Sequence, residues 1–143
     1  MKSNKRFFFI LVIVLASCGL FIACSDNKEL ADYSITGTIT DNTTSLPIKH
    51  IQVIRKGTEY LLFSDTTYTD SIGKYSFEFP DYYNKKASFA LKIEDIDLTQ
   101  NLGDFNTKEI IVGFTSADWD NDTKLNSYKG QAFKTVDISL TKK

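Results

Sequence analysis

The sequence predicts an all-β protein, a two-sheet β-sandwich of about seven short strands. Apolar and polar residues alternate with period two along most of the chain after residue 32, and clusters of turn-forming residues separate the alternating runs. Aromatic residues make up 13% of the chain, a composition that favours strands. Because such strands bury their apolar faces against one another, we expect an immunoglobulin-like or transthyretin-like sandwich, with a small barrel as the alternative.

Each predicted strand presents one apolar face. In the clearest case Tyr75, Phe77 and Phe79 alternate with polar residues, and Pro80 is expected to end the run. The last strand is expected to point Val136 inward together with the alternate residues after it. The seven strands are predicted at 33–40, 50–56, 59–70 with an interruption near residue 64, 74–79, 87–95, 109–116 and 133–140.

The N-terminus has the parts of a secretory signal. A basic start, MKSNKR, precedes an apolar run from Phe7 to Cys24, after which the chain turns polar. The alternative is a permanent anchor, because eighteen residues at about 1.5 Å each give a helix of roughly 27 Å, near the minimum for crossing a bilayer. We expect a lipoprotein signal peptide over 1–23, a tether over 24–31 and one β-sandwich domain over 32–143.

The two cysteines of the chain, Cys18 and Cys24, both lie at the end of the apolar run. Leu15-Ala16-Ser17-Cys18 resembles a bacterial lipobox, in which the cysteine is lipidated and becomes the mature N-terminus, whereas Phe21-Ile22-Ala23-Cys24 is a looser match. The residues that follow favour the second cysteine, since GLFIA after Cys18 is apolar and SDNKE after Cys24 suits a hydrated tether. We expect lipidation at Cys24, with Cys18 as the alternative, and a membrane as the partner of that lipid.

Composition limits the classes of partner that the folded domain is expected to bind. The formal net charge is -1, and Lys and Arg are scattered along the chain, so a nucleic-acid surface is not expected. If Cys24 is the mature N-terminus, the folded part has no other cysteine, which excludes a disulfide scaffold and cysteine metal sites. No cofactor is expected, and a protein or a glycan remains as the partner of the folded domain.

His50 is the only histidine. Alone, it cannot build a zinc or copper site from the usual nitrogen and sulfur ligands. Nothing in the sequence resembles a nucleophile elbow. We therefore expect no catalytic residue, and we interpret His50 as an exposed strand or turn residue.

Two stretches are rich in aspartate. Asp118-Trp119-Asp120-Asn121-Asp122 alternates carboxylates as calcium loops do, but Thr123 and Lys129 stand where that template requires Gly and Glu. Such stretches are more often solvated loops whose side chains bond their own backbone. A looser calcium site could use three other carboxylates, Asp95, Asp97 and Asp104.

Aromatic residues and two hydroxyl residues are further candidates for contact with glycans. Flat rings can stack on sugars, although core or loop packing is the favoured role of Trp119, Tyr82, Tyr83 and Tyr128. Asp65-Thr66-Thr67 and Asp70-Ser71-Ile72 resemble the Asp-Ser/Thr-apolar signal for O-glycosylation in Bacteroidetes, with Thr66 and Ser71 as acceptors. Such a short pattern also arises by chance in a chain rich in Asp and Thr.

Two family resemblances add to this interpretation. The stretches GTITDNTTSLPIKHIQV and DTTYTDSIGKYSFEF resemble the carboxypeptidase regulatory-like domain, which implies a transthyretin-like sandwich without catalysis. KIEDIDLTQNLGDFNTKEIIVGFTSADW and GQAFKTVDISLTKK resemble Bacteroidetes lipoproteins associated with radical SAM enzymes. The Asp-x-Asp loop of that family would fall on Asp95 and Asp97, with Leu98 where a glycine is expected. This resemblance implies a location but no reaction.

The expected function follows from these observations. We expect a non-enzymatic cell-envelope lipoprotein, lipid-anchored in the outer membrane, that acts as a binding or structural module. The alternative is a substrate or partner of a radical SAM maturation system. A hydrolase is the weakest of the three hypotheses.

Overall fold

The computed structural model describes residues 28–58, 60–97, 101, 103–120 and 128–143. This part of the chain contains nine strands and one short 3₁₀ turn at Ser116–Asp118. The strands are β1 Leu30–Asp41, β2 Gln52–Arg55, β3 Asp65–Tyr68, β4 Lys74–Tyr82, β5 Ser88–Glu94, β6 Lys108–Gly113, β7 Trp119–Asp120, β8 Tyr128–Thr135 and β9 Ile138–Leu140. Where the chain is described, no helix is long and apolar enough to cross a membrane.

The strands form two sheets. Sheet I has the order β4-β1-β8-β7, with β9 also paired to β1, and sheet II has the order β3-β2-β5-β6. Strand β1 is the centre of sheet I, because it pairs antiparallel with β4 on one side and parallel with β8 and β9 on the other. The predicted all-β two-sheet sandwich is therefore confirmed.

The core lies between the sheets, on the faces that the alternation predicts. Every second residue of β1 is buried, and so are Tyr75, Phe77 and Phe79 of β4. Tyr33 is the centre of an aromatic cluster in which its ring meets those of four neighbours at 5.0 to 5.8 Å: Phe79, Phe89, Phe114 and Trp119. The Phe79 ring is stacked on Tyr33 and the other three meet it edge-to-face, and both arrangements add to the stabilisation that burial of the rings gives.

Several strands differ from their predicted limits. Pro80 does not end β4, which runs on to Tyr82. Because β4 is an edge strand of sheet I, a residue without an N–H can lie there without removing a hydrogen bond from a central ladder. The strand predicted over 59–63 is not present at its described residues, 60–63, since β3 begins only at Asp65.

The last predicted strand is divided, and the first starts early. β8 and β9 separate at residues 136 and 137, yet both pair with β1 in the same register, as Thr36↔Thr135 and Ile39↔Ile138 show. β1 begins at Leu30, so residues 30 and 31, assigned to the tether from the sequence, belong to the sandwich.

The strand directions define two ends of the sandwich. The tether end carries Lys28, the described loop residues 56–58 and 60–64, and the turn 83–87. β1 and β5 start at this end, and β2 and β4 end there. The distal end carries the loops 42–50 and 69–73 together with the segment after β5. The outer face of sheet I connects the two ends.

Candidate functional site

The outer face of sheet I is the candidate site. Alternation along three neighbouring strands points every second side chain away from the core, and the pairing register aligns these side chains in rows. The rows across β4, β1 and β8 are Pro80–Asp32–Gln131, Glu78–Ser34–Phe133 and Ser76–Thr36–Thr135. Tyr82 lies on the same face, one row nearer the start of β1. Within these three rows, polar side chains surround one large ring.

Phe133 is that ring, and 51% of its surface is exposed. It forms one wall of a cleft of about 320 Å³ whose polar groups come from Asp32, Ser34, Glu78 and Gln131. Its other side borders a shallow depression formed with the segment 117–120. The ring is thus reachable from both sides along the sheet.

A second cleft continues the same face toward the distal end. It measures about 530 Å³, and its floor carries the hydroxyls of Thr36, Ser76 and Thr135. The ring of Tyr68 on β3 forms its side wall and is half exposed. The Tyr68 hydroxyl accepts a hydrogen bond from Gln52 Nε2 at 3.0 Å, which restrains the ring.

An ion pair fixes the sheet beside Phe133. Lys134 Nζ donates to both carboxylate oxygens of Asp118 at 2.9 and 3.0 Å, and Thr115 donates to the same carboxylate. The Lys134 hydrogen bonds, followed by those of Thr115, hold the pKa of Asp118 below its usual value. This contact joins the 3₁₀ turn to β8 and so supports the strand that carries Phe133.

The side chains of Trp119, Tyr82 and Tyr83 do not form one platform, and the Tyr128 side chain lies outside what the structure describes. Trp119 packs against the core and meets Tyr83 edge-to-face at 4.8 Å. Tyr82 instead contacts Tyr60 at 4.6 Å. Phe133 was not singled out from the sequence, where it is one more residue of the last predicted strand. Its place opposite Ser34, in the same row as Glu78, depends on the sheet register.

The predicted calcium carboxylates are only partly brought together. Asp95 and Asp97 lie close enough to share a hydrogen bond, and burial together with Asp95 raises the pKa of Asp97. Asp95 also accepts hydrogen bonds from Asn101 Nδ2 and the Phe105 N–H, at 2.9 and 3.0 Å. The Asp104 carboxylate pairs with Lys143 at 2.7 Å instead. In the part of the chain that can be described, no three acidic, His or Cys residues are placed to hold a metal ion. The calcium site on Asp95, Asp97 and Asp104 remains a prediction from the sequence.

His50 lies in an exposed turn at the distal end, before β2. Its φ of 58° lies in the left-handed region, which residues other than glycine seldom adopt. Its N–H donates a hydrogen bond to the Thr69 carbonyl at 3.0 Å. Its nearness to Asp97 lowers the pKa of that carboxyl somewhat, against the effect of burial. The strand predicted from His50 begins two residues later.

The structure describes the predicted O-glycosylation residues but not the predicted lipidation residues. Cys18 and Cys24 lie outside the described residues. Thr66 is exposed on β3, and Ser71 is exposed at the tip of the β3–β4 turn, where the Asp70 carboxylate accepts hydrogen bonds from the N–H groups of residues 72 and 74. O-glycosylation at these two residues stays a prediction.

Comparison with known proteins gives a likeness of fold and no family. No family model matches the chain, and no curated protein matches it in sequence. The 5-hydroxyisourate hydrolase of Klebsiella pneumoniae is similar with a TM-score of 0.44 and 12% identity, over 76% of this chain and 86% of that one. The resemblances to the carboxypeptidase regulatory-like and radical SAM-associated families therefore stay predictions.

Two further solved structures are similar at the same level. A protein from Bacteroides uniformis described as a candidate carbohydrate-binding protein has a TM-score of 0.39 and 14% identity, over 76% of this chain and 40% of that one. The dioxygenase domain of a dioxygenase and carbohydrate-binding fusion from a cellulolytic Streptomyces has a TM-score of 0.40 and 10% identity, over 82% and 86%. With TM-scores below 0.5, these likenesses carry no conclusion about ligand or activity.

Proposed function

We propose that this protein is a non-enzymatic lipoprotein of the cell envelope that binds a glycan chain on the outer face of sheet I. The lipid on Cys24 anchors it in the outer membrane. The observation that carries the binding proposal is the half-exposed ring of Phe133, set among carboxylate, hydroxyl and amide side chains on a cleft of about 320 Å³.

The chemistry of this face suits a carbohydrate. A sugar ring has an apolar C–H face that packs on an aromatic ring, and hydroxyls that both donate and accept hydrogen bonds. Asp32 and Glu78 supply acceptors, while Ser34 and Gln131 supply both donors and acceptors. A few polar groups around one apolar contact is the usual composition of a small-ligand site.

The length of the face favours a chain over a single sugar. The two clefts follow β1 from Asp32 to Thr38, which is about 20 Å at roughly 3.3 Å per strand residue. Both clefts contain one exposed aromatic ring, Phe133 in the first and Tyr68 in the second. An oligosaccharide could therefore contact both rings.

The test compares the loss of an exposed apolar side chain on sheet I with the loss of one on sheet II. Soluble polysaccharides of several linkage types are titrated against the full protein and against Phe133→Ala, with Ile111→Ala as the matched control, since Ile111 is 71% exposed on β6 of sheet II. We expect at least one polysaccharide to bind, with a tenfold or greater loss for Phe133→Ala, about 1.4 kcal/mol or more, and no loss for Ile111→Ala.

Two results would contradict the proposal. Equal binding by both variants would move the site away from sheet I. Release of new reducing ends from a bound polysaccharide would show that the protein is an enzyme.

A further inference from the structure

We propose that the tether end of the sandwich docks directly onto the bilayer that anchors the chain, through an apolar loop tip and a basic turn. The inference rests on the membrane anchor in the proposed function. It adds a second, non-covalent contact with lipid and so fixes the orientation of the domain, with the distal end pointing away from the membrane.

The apolar contact is the loop between β2 and β3. Leu62 and Phe63 are consecutive, and 77% and 85% of their surfaces are exposed. Leu61 before them packs against the core, its N–H donating to Thr58 Oγ1 at 3.0 Å and its carbonyl accepting from the Thr58 N–H at 2.6 Å. The turn thus holds two adjacent large apolar side chains outward, so that neither is buried in the domain.

The loop lies beside the point where the tether enters. The Tyr60 ring meets the Tyr82 ring at 4.6 Å, and Lys28 Nζ lies 4.5 Å from the centre of the Tyr82 ring. Cys24 precedes Lys28 by four residues, which span at most about 14 Å when fully extended. The surface that meets this end of the sandwich is therefore the membrane that holds the anchor.

Charge at the same end complements an anionic bilayer. Lys85 and Lys86 are exposed in the turn between β4 and β5, next to the tether end of β1. The nearby Glu29 is neutralised by Lys129 at 2.8 Å. Lysines close to the surface add electrostatic attraction to acidic lipid headgroups, while the apolar tip suits the boundary between headgroups and acyl chains.

The test uses the full chain, produced in a bacterial host that processes lipoproteins and reconstituted into phosphatidylethanolamine–phosphatidylglycerol vesicles with brominated acyl chains. Bromine quenches tryptophan fluorescence only at short range. Phe63→Trp places a probe at the loop tip, Ser71→Trp places a matched probe at the exposed distal turn, and the parent protein gives the baseline of Trp119. We expect severalfold stronger quenching for Phe63→Trp than for Ser71→Trp, reduced by adding Lys85→Glu and Lys86→Glu.

Flotation of the vesicles separates the two proposals. If the protein floats with the vesicles but Phe63→Trp is quenched no more than Ser71→Trp, the docking is overturned while the anchor stands. If the protein does not float, both the anchor and the docking fail. Shielding of Phe63→Trp in detergent that grows with protein concentration would assign the loop to contact between two copies and would also overturn the docking.

Discussion

Arg55 is the residue that departs most from a simple apolar core. Its side chain is fully buried between the sheets, with the guanidinium 4.1 Å from the centre of the Phe79 ring. It pairs with Asp65 and donates to the Lys56 carbonyl at 3.2 Å, while its Nε has no hydrogen-bond partner among the described residues. A buried cation with so few acceptors depends strongly on its one carboxylate.

Asp65→Asn is therefore expected to destabilise the domain by about 1–3 kcal/mol. Removing the partner of a buried ion typically costs about 3–5 kcal/mol, and the half-exposed Asp65 carboxylate, at 52%, reduces that figure. Urea unfolding followed by tryptophan fluorescence measures the change. Asp104→Asn, which breaks the exposed pair with Lys143, is the control and should change stability by less than about 1 kcal/mol. An equal loss in both variants would contradict this role of Arg55.

Asp118 links stability to pH at the edge of the candidate site. Because Lys134 lowers the pKa of Asp118 in the folded state, its contribution is present above the unfolded value near 3.9 and is lost as pH falls through the folded pKa. We expect Asp118→Asn to lower stability at pH 7 and to flatten the acid limb of the stability curve. Melting temperatures at intervals from pH 2 to pH 7 test this, with Glu109→Gln, at the exposed pair with Lys56, as control.

At the scale of elements, β8 and β9 are two parts of one strand, and side chains supply part of the pairing with β1 at residues 136 and 137. The Val136 N–H still donates to the Thr36 carbonyl at 2.7 Å. The Val136 carbonyl accepts a hydrogen bond from the Tyr75 hydroxyl at 2.8 Å, and the Asp137 carboxylate accepts one from the Thr38 N–H at 2.8 Å. The Tyr75 hydroxyl donates this bond in its ordinary protonated form, and burial raises its pKa further. The register with β1 is thereby kept across the gap.

This junction requires a glycine on β1. A Cβ on Gly37 would lie 1.9 Å from the Val136 carbonyl oxygen, a backbone atom that cannot move without breaking the Tyr75 contact. Gly37→Ala should therefore cost about 3 kcal/mol or more, at the upper end for overpacked sites. Gly113→Ala is the matched strand control, because a Cβ there meets nothing within 4 Å. Denaturant midpoints for both variants measure the difference, and similar midpoints would contradict this account of the junction.

At the scale of the whole molecule, the proposals assign the tether end to membrane contact and leave the distal end facing away from the membrane. The tether end carries exposed Leu62 and Phe63, whereas the distal end carries the Asp95–Asp97 pair and His50. The glycan face runs between them. An anchored domain would present that face sideways and its distal end outward.

The anchor gives the whole-molecule prediction. Mass spectrometry of the N-terminal peptide from membrane-purified protein should show diacylglycerol and acyl groups on Cys24, with residues 1–23 removed. A lipidated peptide starting at Cys18 would assign the alternative site.

The intact mass of the same sample should be explained by the lipid and by sugar at Thr66 or Ser71. Another mass change on an internal residue would favour the radical SAM hypothesis, and an unlipidated N-terminus would contradict the anchor.

Local pattern determined much of this protein from the sequence alone. The burial of Tyr33, Ile35, Phe77 and Phe89 was predictable because alternation with period two is a property of each strand by itself. The signal peptide and the tether were also predicted from neighbouring residues, and they stay predictions because residues 1–27 lie outside the described part of the chain. The failure over 59–63 has the same origin, because a run of aromatic and aliphatic residues does not show whether a partner strand is present.

Tertiary structure alone decided which strands meet. The parallel pairing of β1 with β8 joins Ser34 to Phe133, residues far apart in the chain, and that pairing makes Phe133 the centre of a site. The burial of Arg55 and the meeting of the apolar loop with the tether also depend on contacts between distant segments. Such contacts follow from how two faces pack, and packing depends on the sum of many side chains, whereas alternation is written in each strand by itself.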